Sequence, residues 1–462
     1  MLPAVLAWTG VAFAISGASA EVSVGPNVHV SQAYAAAPLL EVVIAADPRD
    51  PSRLLAAAML FTRGIVAYRS SDGGKTWTQA LVFQKSTADP LADPVIQAIG
   101  DPAIAWGADG LHYAVIYRLK ANMKLPSEPR PLQLVHSADG GKTWAAPVRL
   151  TGDQLDRPFL AVDQSGGKFN GRLYCDFSVK LDGKTLRLGI VTSSDGGRTF
   201  SPFRYLLAEG WFNVRGGQSA VLADGTFLVP YVVCRPPSKS NMYPVPEMHV
   251  RRSTDGGESF LPDQFLTTLG HTTEADNWYE GEYVIMPMMA ADPGSSQFNN
   301  RVYLVWQHYI AKHYRVFLAC SKDKGTTWSK PIVVSEQSDR AYDAVVPAIA
   351  VNRKGIVAVT WYDSRDSRPG VPCSNVRFRT SLDGGDTWLP SVRVTDVPSL
   401  MALDNPSWKL GKDGKDFSYP GETAGLTADA AGDFHPAWVD KRTGLLQLFT
   451  ARVSVKETTT RP

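Results

Sequence analysis

Apolar residues in this chain fall in short runs, many alternating with polar positions, and each run ends at Gly, Pro, Asp or Asn. That spacing predicts strands and tight turns, and no stretch combines a helical period with capping signals over ten or more residues. The runs come in pairs. Pro102–Gly110 leads through an Ala-Asp-Gly turn into Leu111–Tyr117, and the same pairing recurs at Phe159–Asp163 with Arg172–Val179 and at Ser219–Asp224 with Thr226–Cys234. It returns at Ile285–Asp292 with Arg301–Trp306, at Val346–Asn352 with Ile356–Trp361, at Ala424–Asp429 with Phe434–Val439, and once early, at Val42–Asp47 with Leu54–Phe61. The chain reads as all-β, built from seven copies of one strand unit.

A second repeat sits between later strands of each unit. The octapeptide Ser-x-Asp-x-Gly-x-Thr-Trp appears at 70–77, 137–144, 193–200, 253–260, 321–328 and 381–388, with Thr or Trp replaced by Ser or Phe in some copies. Its Asp and hydroxyl side chains suit backbone N–H groups in a turn, its glycines supply positive φ, and its aromatic is free to pack. With Gly64–Arg69 before the first copy and Ala80–Phe83 after it, each copy is expected to close a hairpin. The motif resembles the Asp box, or BNR repeat, of the sialidase superfamily, where it lies on a strand-connecting turn away from substrate. The resemblance implies a single β-propeller of four-stranded antiparallel blades.

The unit count favours seven blades over six. The seventh unit has a third strand, Leu446–Val453, but no box and no fourth strand; Gly25-Pro-Asn-Val-His-Val-Ser31 has the pattern of the fourth-strand segment Leu389–Thr395. The N-terminal strand is therefore expected to complete the last blade, closing the ring and removing two open sheet edges. The sialidase catalytic domains that the boxes resemble have six blades, so the count departs from that pattern.

Composition narrows the picture further. An apolar run, Leu2–Ser16, ends in Ala18-Ser19-Ala20, the pattern of a cleaved export signal, though no Lys or Arg precedes it. This divides the chain into a signal peptide at 1–20, a propeller at 21–455 and a polar tail at 456–462, with the protein secreted or periplasmic and no membrane span after signal removal. With 47 basic and 45 acidic residues, the totals give no support to nucleic-acid binding. Cys175, Cys234, Cys320 and Cys373 leave one or two disulfides open, with three full pairings, and lack the spacing of a zinc site. No metal or cofactor is called for.

Candidate chemistry follows from where a propeller binds ligands: at the loops entering each innermost strand and the loops after its second strand. Trp361-Tyr-Asp363-Ser-Arg365 and Trp438-Val-Asp440-Lys-Arg442 repeat W-x-D-x-R, which reads as a structural ion pair used twice. Arg157, Gln218, Arg235, Glu280 with Glu282, and Tyr419 beside Glu422 occur once. In the sialidase superfamily three arginines hold the substrate carboxylate, a tyrosine supported by a glutamate attacks the anomeric carbon, and an aspartate serves as acid and base. The segment Arg215–Arg235 resembles a family segment ending in a functional arginine, so the resemblance implies Arg235 as a clamp. It implies Tyr419 as nucleophile, Asp101 as acid/base, and Arg157 with Arg365 or Arg368 as further substrate-binding residues.

The pattern also departs from the family. No R-I-P follows the signal, and Gln218 stands about where the supporting glutamate belongs; Glu280, Glu282 or Glu422 are the carboxylates able to replace it. For every one of these residues a packing or turn role competes. Three functions remain open: a retaining exo-sialidase-type glycoside hydrolase acting on an acidic glycan, a non-catalytic carbohydrate- or protein-binding propeller, and a lyase or hydrolase of an acidic polysaccharide.

Overall fold

The computed structural model describes residues 19–34, 37–60, 64–84, 96–107, 110–119, 132–150, 154–181, 185–207, 214–235, 245–269, 286–336, 341–401, 403, 418 and 420–458. Its strands form seven antiparallel sheets, five of them four-stranded, and one three-residue 3-10 turn is the only helical element among the described residues. In chain order the sheets begin at Leu39–Ala46 (sheet 1), Ile96–Gly107 (sheet 2), Gln154–Val162 (sheet 3), Val214–Gly216 with Ala220–Val221 (sheet 4), Met288–Ala291 (sheet 5), Ala344–Val351 (sheet 6) and Gly425–Ala428 (sheet 7). Each of the seven strand units read from the sequence falls in one of these sheets. The first strands of all seven line one central cavity, which makes the assembly a β-propeller with its axis through that cavity.

Closure uses the N-terminus. Val28–His29 pairs antiparallel with Gln447–Thr450 and becomes the outer strand of sheet 7, while sheet 7 packs on sheet 1 through Gly425–Ala428 against Leu39–Ala46. Ser31 is fully buried at this joint: its hydroxyl donates to Gln447 Oε1 at 2.8 Å and accepts from Leu448 N–H at 3.0 Å. Asn27 adds a tie to sheet 6, donating to the Val394 carbonyl at 2.9 Å. The ends of the chain differ from expectation in one respect. Leu446–Val453 is not one strand: it breaks after Thr450, and Val453–Thr458 pairs with Ser19–Val24 in an antiparallel ribbon. Residues 456–458, read as tail, belong to that ribbon because Val22 and Val24 pair with Val455 and Val453 and pack on the core.

All six boxes close third-to-fourth strand hairpins, by one mechanism. The Ser hydroxyl donates to the Asp and accepts from the second glycine N–H, and the Asp accepts the N–H and hydroxyl of the Thr or Ser. At Asp195 the Thr199 hydroxyl and N–H hold the carboxylate down at about 2, so the turn keeps its charge at every pH where the fold is useful. The boxes also join sheets. Arg172 of sheet 3 donates to the Gly256 carbonyl at 2.6 Å, and Arg301 of sheet 5 repeats the contact with Gly384 at 2.5 Å. These are scaffold contacts, far from chemistry.

The cysteines do not staple the fold: Cys175, Cys320 and Cys373 are buried and unbridged, and the Cys234 side chain lies outside the described residues. Most of the stability is hydrophobic, with Trp306, Trp361 and Trp438 fully enclosed on the second strands of sheets 5, 6 and 7. Ring closure should be measurable at one atom. Ser31→Ala removes the acceptor of the buried Leu448 N–H and one donor to Gln447 Oε1, so urea unfolding should show a loss of about 1–3 kcal/mol; an unchanged midpoint would show that the joint is held by packing instead.

Candidate functional site

The central cavity encloses about 450 Å³ and is bounded mainly by apolar side chains such as Ile44, Ile104, Leu160, Met288 and Ile349. Polar groups gather at its mouth, and the backbone explains why. Four first strands carry a bulge at the same register: Leu40/Val43, Gly100/Ala103, Asp156/Phe159 and Val345/Ala348. The first bulged residue in each is a non-glycine with positive φ, Glu41 at 56°, Asp101 at 57°, Arg157 at 48° and Val346 at 51°. Such a conformation costs on the order of 1–2 kcal/mol per residue and re-aims the side chain. Three consecutive sheets thus place Glu41, Asp101 and Arg157 along one arc of the mouth.

Glu422, from the chain entering sheet 7, completes the cluster. Arg157 donates to it twice, Nε to Oε2 and Nη2 to Oε1, both at 2.5 Å. Burial works against the Arg157 charge, yet Glu422 and then Asp156 keep it ionised well past the ordinary range. The Arg157 N–H also points to Asp101 Oδ2 at 3.3 Å. Beside Asp101 lies Glu41, whose side chain is hydrogen-bonded to the Asp101 carboxylate, whose backbone N–H donates to the Pro420 carbonyl at 3.0 Å, and whose Oε2 is inaccessible and finds no partner among the described residues. Burial, then the charges of Asp101 and Glu422, raise the Glu41 carboxyl well above the usual carboxylate range, and Arg157 only partly offsets them. Gly421 makes this approach possible: a Cβ there would stand 2.5 Å from Glu41 N.

Of the residues singled out from sequence, the structure brings Asp101, Arg157, Gln218 and Glu422 to the cavity. Gln218 faces a structural duty, its Nε2 donating to the Leu160 carbonyl at 3.2 Å and to that of Ser219 at 3.1 Å. Arg365 is committed elsewhere, to Asp363 through Nε and Nη2 at 2.8 Å and to Glu336 at 3.0 Å, and Arg442 repeats the pairing with Asp440. The twice-used W-x-D-x-R is therefore an architectural ion pair, with Trp361 and Trp438 each donating to the same Asp. Arg368 lies in the turn to Val371 and does not line the cavity. Tyr419, Glu280 and the Arg235 side chain lie outside the described residues.

Glu41 was not among the residues picked out from sequence. The signal was present: Glu41, Arg157 and Gln218 each stand six residues before a turn aspartate, at Asp47, Asp163 and Asp224. The matching positions in sheets 5, 6 and 7 are Met286, Val346 and Thr423, so among the described residues the ionisable side chains at this position lie on sheets 1 to 3, joined by Glu422 from the chain entering sheet 7.

No family model matches this chain, and no curated protein matches it. Among solved structures it is similar to a Hadza microbial sialidase at 14% identity, TM-score 0.47, over 84% of this chain and 73% of that one. It is also similar to a Penicillium chrysogenum alpha-L-arabinanase complexed with arabinobiose, at 16% identity and TM-score 0.48 over 74% and 94% of the two chains. A Trypanosoma rangeli sialidase in complex with sialic acid gives 10% identity and TM-score 0.44 over 80% and 55%.

The raised Glu41 carboxyl has a sign that can be checked. Its folded value lies above its unfolded one near 4.3, so its contribution to stability is intact below that value and is lost as pH climbs toward the folded value. Glu41→Gln should match the parent near the unfolded carboxyl value and exceed it increasingly as pH rises above it, read as the midpoint of urea unfolding. A constant difference across that range would show that Glu41 is not held neutral.

Proposed function

We propose that this protein is a glycoside hydrolase in which Glu41 and Asp101 perform the acid–base chemistry at the mouth of the propeller channel. The observation that carries the reading is the pairing of two carboxyl groups at matching bulges on neighbouring sheets, one of them kept protonated by burial and by the charge of the other. Environments that push two neighbouring carboxyls apart assign an acid and a base. Glu41 donates its proton to the leaving glycosidic oxygen as the bond to the anomeric carbon breaks, and the water that adds to that carbon gives its proton to the hydrogen-bonded Glu41–Asp101 pair. Return of that proton to Glu41 closes the cycle. The Asp-box pattern of the sequence supports the same class of enzyme.

An uncharged sugar suits this mouth better than an acidic one. Arg157 already gives two donors to Glu422, and Glu41, Asp101 and Glu422 outnumber it. A retaining sialidase would instead need its arginine clamp and tyrosine from Arg235, Tyr419 and their surroundings. For residues 1–20 we propose an export signal whose removal leaves Glu21–Val24 to pair with Val453–Lys456.

The test is turnover of aryl glycosides by purified 21–462, with a neutral α-L-arabinofuranoside and the 4-methylumbelliferyl α-sialoside in one panel. Asp101→Asn and Glu41→Gln should each lower kcat/KM about 10²–10⁴-fold while thermal melts stay cooperative. Turnover that survives both substitutions, or no turnover of any glycoside by folded protein, overturns the reading; the second result moves the assignment to a non-catalytic glycan- or protein-binding propeller.

A further inference from the structure

Behind the channel wall the chain buries a carboxylic acid that the acid–base reading leaves unused. Asp176, on the second strand of sheet 3, is fully buried and pairs across the sheet with Phe159, two residues beyond Arg157. Its Oδ1 accepts the Ser219 hydroxyl of sheet 4 at 2.7 Å, and its Oδ2 has no partner among the described residues. Ser219 itself lines the cavity. The adjacent Gln218 crosses the same seam in the same direction, its Nε2 donating to the Leu160 carbonyl, and its backbone N–H donates to the Pro287 carbonyl, next to sheet 5, at 2.9 Å. Two polar ties therefore join sheets 3 and 4 directly beneath the bulge that presents Arg157.

We infer that Asp176 is a positioning residue: bonded to Ser219 it latches sheet 3 to sheet 4 and fixes the Arg157 bulge, and loss of its proton leaves a buried charge in that seam, which loosens the wall. An ionised carboxylate in this place is costly because only the Ser219 hydroxyl and its own backbone N–H offset the loss of water. The charged groups on the strands packed around it are Asp156 and Arg157 on the first strand of sheet 3, Arg187 on the third and Arg215 entering sheet 4. None of them sets its titration: burial drives the Asp176 carboxyl up to about 7, with the Ser219 hydrogen bond pulling the other way. A folded value above the unfolded one near 3.9 means that the latch contributes fully in acid and is lost as pH rises through about 7. The channel wall is then tightest below neutral pH.

The inference concerns the wall of the proposed site but does not depend on turnover, so a failed glycosidase assay leaves it standing. Hydrogen exchange of segments 154–162 and 214–221, corrected for intrinsic rates, is to be followed from pH 5.5 to 8.5 in the full protein and in Asp176→Asn and Ser219→Ala. The parent should lose protection about tenfold or more through neutrality, and Asp176→Asn should be flat. Ser219→Ala removes a bond that favours the ionised form, so its midpoint should move to higher pH. A parent-like slope in Asp176→Asn, or a uniform loss of protection at every pH, overturns the inference. Should Asp176→Asn fail to fold, an unmoved midpoint in Ser219→Ala does the same.

Discussion

Seven strands converging on one axis leave little room, and that crowding governs the rest of the molecule. The residues facing the centre are small or flat where the strands run closest, with Ala45, Ala105, Ala161 and Ala350 at equivalent places on four of them. Gly425 is needed for the same reason, since a Cβ there would press within 2.7 Å of Ile44. Large side chains are pushed outward into the seams between sheets, where Trp306, Trp361 and Trp438 do the packing. Polar chemistry has only the mouth of the channel to occupy.

At the mouth the strands diverge, and the bulges exploit the space. A non-glycine residue held at positive φ is unfavourable in isolation and persists where surrounding structure over-determines it. Here the determining structure is the ring itself, closed by Val28–His29 and the buried Ser31 network. The charges obey the same logic. Arg157 and Glu422 come from sheets distant in sequence, 265 residues apart, and meet in two short hydrogen bonds; a partly buried pair of this kind is costly to break from either side, on the order of 3–5 kcal/mol. Scaffold closure and site geometry are thus one constraint.

Much of this was legible in the sequence. Strand units, hairpin boxes and the closing N-terminal strand were readable because each rests on local chemistry: alternation, glycines with positive φ, and an Asp that satisfies its own turn. The paired use of Asp363 with Arg365 and Asp440 with Arg442 was readable because it repeats. The site was less so. Asp101 and Arg157 could be selected from their place before a first strand, but Glu41 looked like one polar residue inside an apolar run, and its protonation depends on Asp101 and Glu422, which reach it only after folding. Asp176 could be selected from its place at a second strand, but a strand aspartate gives no sign that its hydrogen bond will come from the next sheet.

The contrast between repeated and singular residues accounts for the asymmetry of the site. One backbone feature, the first-strand bulge, recurs on four sheets, and the sequence fills it with Glu41, Asp101 and Arg157 on three consecutive sheets and with Val346 on sheet 6. Among the described residues the mouth therefore carries its ionisable side chains on one arc, Glu41, Asp101 and Arg157, with Glu422 reaching Arg157 from the neighbouring end of the ring. A near-symmetric fold produces a directional site by varying one residue per sheet, without altering the strands that carry it.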